Sequence, residues 1–157
     1  MKRFLILLLA LLIVALPALA ETSSFGYYDD VLEDGSLIYY FEDLSLQLPA
    51  EWAGKLYVEE AGNGAAFYQK ASYEKYKEEG LEGGGFLFSL AGSVNSDFTE
   101  LPAYAYLGFS EESCMNYYLV LPSDYPAYMQ DDIRAEYDAM SAQIDYVVEH
   151  VDIYGAE

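Results

Sequence analysis

The stretch DDIRAEYDAMSAQIDYVVEHV, residues 131–151, decides the fold class. Its apolar residues recur at steps of four and three, which places them on one side of an α-helix. They are Ile133, Tyr137, Met140, Ile144, Val147 and Val151. The other side carries carboxylates, and Asp131 and Asp132 lie near the helix start, where the helix dipole favours negative charge. A helix with one apolar face and one charged face is expected to pack on the surface of a sheet.

The residues before this helix have the patterns of strands. Leu44, Leu46 and Leu48 alternate with polar residues, which is typical of a half-buried strand. Asn63-Gly64 favours a tight hairpin turn between residues 55–59 and 65–70. Further strands are predicted at 37–41, 86–91, 104–109 and 115–121, and a short helix at 72–79, capped by Ser72 and stopped by Gly80.

Short connections between successive strands favour antiparallel pairing. We therefore predict an α+β fold. It is an antiparallel sheet of about six or seven strands, with the long C-terminal amphipathic helix and one short helix packed on it.

The N-terminus has the layout of a secretory signal. Lys2 and Arg3 precede an apolar run of about 13 residues, and Ala18-Leu19-Ala20 matches a cleavage site. A membrane span needs roughly 20 residues, so an anchor that stays in place is the weaker alternative. We predict a signal peptide at 1–20, an acidic aromatic arm at 21–35 and a single α+β domain at 36–154. The expected location is outside the cytoplasm, at the exterior of a bacterial cell.

The charge of the chain limits its partners. Seven basic residues stand against 27 acidic ones, a formal net charge of −20. Nucleic acids and anionic membranes repel such a surface, and no membrane span is expected after cleavage of the signal. The expected partner is a protein or a glycan at the cell surface.

The segment FEDLSLQLPAEW, Phe41 to Trp52, resembles the start of PsbP-like domains, in which an alternating strand runs into a proline and then a tryptophan. The stretches GAAFYQKASYEK and GGGFLFSL resemble uncharacterised exported bacterial proteins. The first resemblance implies an antiparallel sheet flanked by helices. It also implies a binding or assembly module without shared catalytic residues.

Two groups of residues are candidate sites. The chain has 17 tyrosines, whose flat rings with polar tips suit interfaces and sugars. Adjacent strand residues face opposite sides, so we expect one tyrosine of the pairs 39–40 and 117–118 to be exposed; Tyr27, Tyr28 and Tyr40 are the predicted ligand contacts. Asp29, Asp30, Glu33 and Asp34 form an acidic loop whose oxygens suit Ca²⁺, although Leu32 interrupts the spacing of a calcium loop.

Three other features favour structural roles. His150, the only histidine, is expected to cap the end of the long helix rather than act in catalysis or bind zinc. Gly83-Gly84-Gly85 lacks the lysine of a phosphate-binding loop and indicates a turn or a close approach of two backbones. Cys114, the single cysteine, excludes an internal disulfide, and we expect its thiol to be buried.

These observations predict an exported, non-catalytic binding or interaction module that needs no cofactor. Two alternatives remain open. One is a secreted hydrolase that uses paired carboxylates as acid and base, and the other is a domain that responds to calcium.

Overall fold

The computed structural model describes residues 29–94 and 101–154. A small sheet contains β1 (Asp30–Val31), β2 (Leu37–Phe41), β3 (Leu44–Leu48) and β9 (Val151–Ile153), in that order. A large sheet contains β4 (Leu56–Ala61), β5 (Gly64–Gln69), β6 (Phe86–Ser93), β7 (Tyr104–Ser110) and β8 (Met115–Val120), in the order β4-β5-β6-β8-β7. The helices are α1 (Lys70–Glu78), α2 (Asp131–Ser141) and α3 (Ile144–Glu149), with a short 3₁₀-helix at Ala50–Trp52.

The predicted α+β class is confirmed, and every strand pair is antiparallel. The prediction of one sheet is wrong, because the described strands number nine and divide between two sheets. Pro49 and the 3₁₀-helix turn the chain out of the small sheet after β3. The sequence of a strand does not encode which sheet it joins, and β1, with two residues, is too short to show a period.

The core lies between the inner faces of the two sheets. Leu44, Leu46 and Leu48 alternate inward along β3, as their spacing predicts. Tyr39 of the small sheet meets Phe67 of the large sheet edge to face, with ring centroids 5.0 Å apart. Each fully buried side chain of this kind contributes about 2 kcal/mol through removal of apolar area from water.

Most of the apolar stripe predicted for the C-terminal helix is confirmed. Ile133, Tyr137, Met140, Ile144 and Val147 are all buried. The helix does not continue to 151, because the chain turns at Ala142 and Gln143 between α2 and α3. The Gln143 side chain accepts a hydrogen bond from Trp52 Nε1 at 2.7 Å, so the interruption is tied to the core. Val151 instead pairs with Leu46 in β9.

His150 ends α3, as predicted for a capping residue. Its Nδ1 lies 2.8 Å from the carbonyl oxygen of Tyr146, and its ring stacks on the Tyr146 ring with centroids 4.0 Å apart.

The expectation that Cys114 is buried is wrong, because the structure leaves this residue exposed. The residue lies in the tight β7–β8 turn with a φ of 55°. Within 29–94 and 101–154, no helix is both long and apolar enough to cross a membrane.

One buried carboxylate joins the two sheets. Asp43, in the β2–β3 turn, is 8% exposed and accepts hydrogen bonds from the hydroxyls of Ser110 and Tyr117. Ser113 Oγ donates a third at 2.7 Å. These donors come from β7, β8 and the turn between them. Burial raises the pKa of Asp43, but the three hydroxyl donors outweigh burial and lower the pKa to about 2. We name these four residues the Asp43 cluster.

The Asp43 cluster predicts a pH-dependent stability. The pKa is 3.8 in the unfolded chain and about 2 in the folded one, so the carboxylate stabilises the fold by about 2 kcal/mol above pH ~4 and this contribution is lost as pH falls through ~2. Asp43→Asn should therefore lower the free energy of unfolding by roughly 2 kcal/mol at neutral pH, with a difference from the parent that narrows toward pH ~2. Urea denaturation at several pH values measures it.

The matched control is Asp152→Asn, the same change at an exposed position of β9 in the same sheet. It should alter the free energy of unfolding by less than about 0.5 kcal/mol. A difference between Asp43→Asn and the parent that stays constant down to pH ~2 would show that the charge of Asp43 contributes nothing.

Candidate functional site

The outer face of the large sheet carries a cluster of tyrosine rings. Tyr57 of β4 and Tyr68 of β5 are directly opposed in the antiparallel register. Helix α1 follows β5 without a loop and brings Tyr73 onto the same face. The Tyr73 ring stacks on Tyr57 with centroids 4.0 Å apart and planes at 23°, and it lies 5.2 Å from the Tyr68 ring. All three residues are half-buried.

A cleft of about 500 Å³ opens between the rings of Tyr68 and Tyr73 and the chain that follows α1. This volume lies within the range of small-ligand sites. We name it the tyrosine cleft and define it by its lining residues: Glu59, Tyr68, Tyr73, Lys77, Leu81, Glu82, Gly83 and Gly84. On the other side of Tyr73 a second depression of about 560 Å³ is lined by Tyr57 and by the α1 residues Tyr73, Glu74, Lys77 and Glu78.

Gln69 holds α1 in place. It is completely buried, and its Oε1 accepts a hydrogen bond from the backbone N–H of Ser72 at 2.9 Å, which caps the start of the helix. Its Nε2 donates to Glu136 of α2 at 2.8 Å. The predicted cap by Ser72 is wrong, because Ser72 lies inside α1 and its Oγ accepts from the backbone N–H of Tyr128. The predicted stop at Gly80 is confirmed by a φ of 73°.

The glycine run brings the chain close against α1, as its sequence predicts. A Cβ at Gly84 would lie 2.1 Å from the Tyr76 ring, and a Cβ at Gly85 would lie 2.4 Å from the Gln69 carbonyl oxygen. The Gly85 carbonyl also accepts the Gln69 backbone N–H at 2.7 Å. The run therefore sets the separation between α1 and β6, and with it the width of the tyrosine cleft.

Two alanine substitutions test this role. Gly83 and Gly85 have nearly equal φ values of 76° and 78°, but a Cβ at Gly83 meets nothing within 4 Å. Gly83→Ala should therefore lower the free energy of unfolding by about 1 kcal/mol, from backbone strain alone. Gly85→Ala should lower it by roughly 3 kcal/mol, since the backbone clash adds to that strain. Thermal unfolding measures both, and equal losses would contradict the close approach.

The tyrosine cleft carries charge of both signs. Lys77 Nζ donates to the Tyr73 hydroxyl at 3.0 Å and lies 5.1 Å from the centre of the Tyr73 ring. The hydrogen bond to the Tyr73 hydroxyl raises the pKa of Lys77, and the carboxylates of Glu59 and Glu82 add to this effect. Burial raises the pKa of Tyr68, with contributions from Glu59 and Tyr73. Lys77 is therefore an ammonium at neutral pH.

The aromatic residues predicted from the sequence lie elsewhere. Tyr40 is 48% exposed on the outer face of the small sheet, while Tyr39 is buried, as the alternation predicts. Both members of the pair 117–118 are buried; Tyr118 packs against the Tyr104 and Tyr106 rings. Tyr27 and Tyr28 lie outside the described residues. The role of Tyr40 in ligand binding stays a prediction.

The acidic loop begins the small sheet. Asp29 Oδ2 accepts the backbone N–H of Tyr40 at 2.8 Å, and Asp30 Oδ1 accepts that of Val31 at 2.8 Å. Asp34 Oδ1 accepts from the Ser36 backbone at 2.9 Å, and hydrogen bonds from Ser36 lower the pKa of Asp34. Glu33 is exposed. Across 29–94 and 101–154, no three or more His, Cys, Asp or Glu side chains are grouped as metal ligands, and calcium binding by this loop stays a prediction.

Sequence reasoning missed the tyrosine cleft, although a signal for it exists. The β4–β5 turn is formed by Gly62 and Asn63, since Ala61 pairs with Gly64. This is one residue earlier than Asn63-Gly64 itself would place the turn. Tyr57 lies four residues before Ala61 and Tyr68 lies four residues after Gly64, so the two tyrosines pair on one face. Tyr73 then follows from the helix that continues β5.

Comparisons with protein-family models, curated proteins and solved structures yield no match to this chain. The resemblance to PsbP-like domains stays a prediction from the sequence.

Proposed function

We propose that the chain is an exported, non-catalytic binding module and that the tyrosine cleft is its ligand-binding site. The observation that carries the proposal is the pair of Tyr68 and Tyr73 at the wall of a 500 Å³ cleft, with Tyr57 stacked on the other side of the Tyr73 ring. Export rests on the signal pattern of residues 1–20.

The rings of this cluster suit binding for a physical reason. A tyrosine has few rotatable bonds, so an ordered ring offers a large contact area at a small loss of conformational entropy. Stacking between the rings orders them further before any ligand arrives. Such preorganised rings favour a ligand that lays an apolar surface on them, as a peptide side chain or a sugar ring does.

The charges narrow the ligand class. A net charge of −20 opposes the approach of polyanions to any part of the surface. Glu59 and Glu82 extend this negative potential into the tyrosine cleft itself. The ligand is therefore neutral or cationic, which agrees with a protein or glycan partner and excludes nucleic acid and anionic lipid from the proposal.

The test compares two tyrosine-to-alanine variants. Arrays of peptides and of neutral glycans identify a ligand of the unmodified domain, and calorimetry then measures its dissociation constant. Tyr73→Ala should raise that constant about tenfold, corresponding to loss of roughly 1.4 kcal/mol of ring contact. Tyr40→Ala, an equal truncation on the outer face of the small sheet, should change it less than twofold.

The opposite ranking, with binding lost in Tyr40→Ala and kept in Tyr73→Ala, would contradict the assignment of the site. Circular dichroism of both variants shows whether the fold is intact. Tyr57→Ala gives a second truncation in the same ring cluster, one that removes the ring stacked on Tyr73 without changing a residue of α1.

A further inference from the structure

The tyrosine cleft already holds an ammonium group, that of Lys77. Its Nζ is 3.0 Å from the Tyr73 hydroxyl and 5.1 Å from the Tyr73 ring centre, within the range at which a cation is attracted to an aromatic face. Lys77 is exposed and is anchored by a hydrogen bond to a hydroxyl group, not by an ion pair. A side chain held in this way leaves its position easily. Water competes for its hydrogen bond, and the stem loses rotamer freedom when it is ordered.

The carboxylates that surround the Lys77 ammonium outnumber its single positive charge. Glu59 and Glu82 both line the tyrosine cleft with Lys77. The ion pairs formed within 29–94 and 101–154 use other carboxylates, those of Glu74, Glu78, Asp131 and Glu136. Two acidic groups therefore face a single cation in a site walled by ring faces, and this arrangement is complementary to an added positive charge.

We propose that the tyrosine cleft binds a lysine side chain of a basic partner peptide, and that Lys77 occupies the position of this side chain until the partner displaces it. The inference rests on the proposed function and specifies its ligand. Lysine is favoured because the group seen against Tyr73 is itself a lysine ammonium on its flexible stem. The second depression beyond Tyr73, about 560 Å³, gives room for a residue that neighbours the bound lysine in the peptide.

If the ligand is a neutral sugar, Lys77 is expected to contact the ligand and not to compete with it. Its ammonium would then donate hydrogen bonds to hydroxyl groups of the ligand, and removing it would weaken binding. If Lys77 competes with the ligand, its removal tightens binding. The sign of the change therefore separates the two ligand classes.

The experiment titrates the domain with three probes at matched ionic strength. They are a blocked peptide of alternating lysine and glycine, the same peptide acetylated on its lysine side chains, and 1,5-diaminopentane. We expect the lysine peptide to bind, the acetylated peptide to bind at least tenfold more weakly, and the diamine to bind more weakly than the lysine peptide. Lys77→Gln should tighten binding of the lysine peptide by about threefold to tenfold.

Removing any positive charge strengthens attraction of a cationic peptide, so a matched control is needed. Arg134→Gln removes the same charge from α2, which does not line the tyrosine cleft, and should change the affinity less than twofold. Equal tightening in both variants would show a general charge effect and would overturn the displacement by Lys77.

Weaker binding in Lys77→Gln, or equal affinity for the acetylated peptide, would overturn the ammonium site. In that case a ligand whose binding still depends on Tyr73 leaves the proposed function standing. Equal binding of diamine and peptide would overturn the assignment to a peptide. If no probe or array ligand depends on Tyr73, the proposed function fails together with the inference.

Discussion

The position of Phe67 fixes both faces of the large sheet. Its ring is completely buried, stacks on Phe88 and meets Tyr39 of the small sheet. Because side chains alternate along a strand, burying Phe67 inward directs its neighbour Tyr68 outward. A slip of one residue would place a tyrosine hydroxyl in the core and a phenylalanine in water, so the packing of the two sheets specifies the register strongly.

The tyrosine cleft follows from that register with little further information. Tyr57 pairs with Tyr68, and α1 begins immediately after β5, so Tyr73 has to meet the same face. Gln69 and the glycine run fix the distance of α1 from the sheet. The Asp43 cluster joins the hairpins at one end of the two sheets and leaves the outer face of the large sheet uninvolved. The core and the tyrosine cleft thus occupy opposite faces of the same strands.

The sequence predicts the parts of this structure that depend on neighbouring residues. The stripe from Ile133 to Val147, the close approach at Gly84 and Gly85 and the capping by His150 each involve residues a few positions apart or a steric requirement of one residue. The division into two sheets depends on contacts such as Tyr39 with Phe67, which no local period shows. The cap by Gln69 was missed because glutamine is uncommon at that position and Ser72 offers a stronger local signal. The tyrosine cleft was missed because it requires the exact register of a hairpin.

Backbone amide resonances of the isotopically labelled domain, recorded during titration with the lysine–glycine peptide, show whether the ligand binds the outer face of the large sheet. We expect shifts to concentrate at Glu59, Tyr68, Tyr73, Lys77 and Glu82 and to leave Tyr40 unchanged, as the assignment of the binding site to the tyrosine cleft requires. Shifts centred instead on Tyr40 and residues 29–34 would contradict it and would place the ligand on the small sheet.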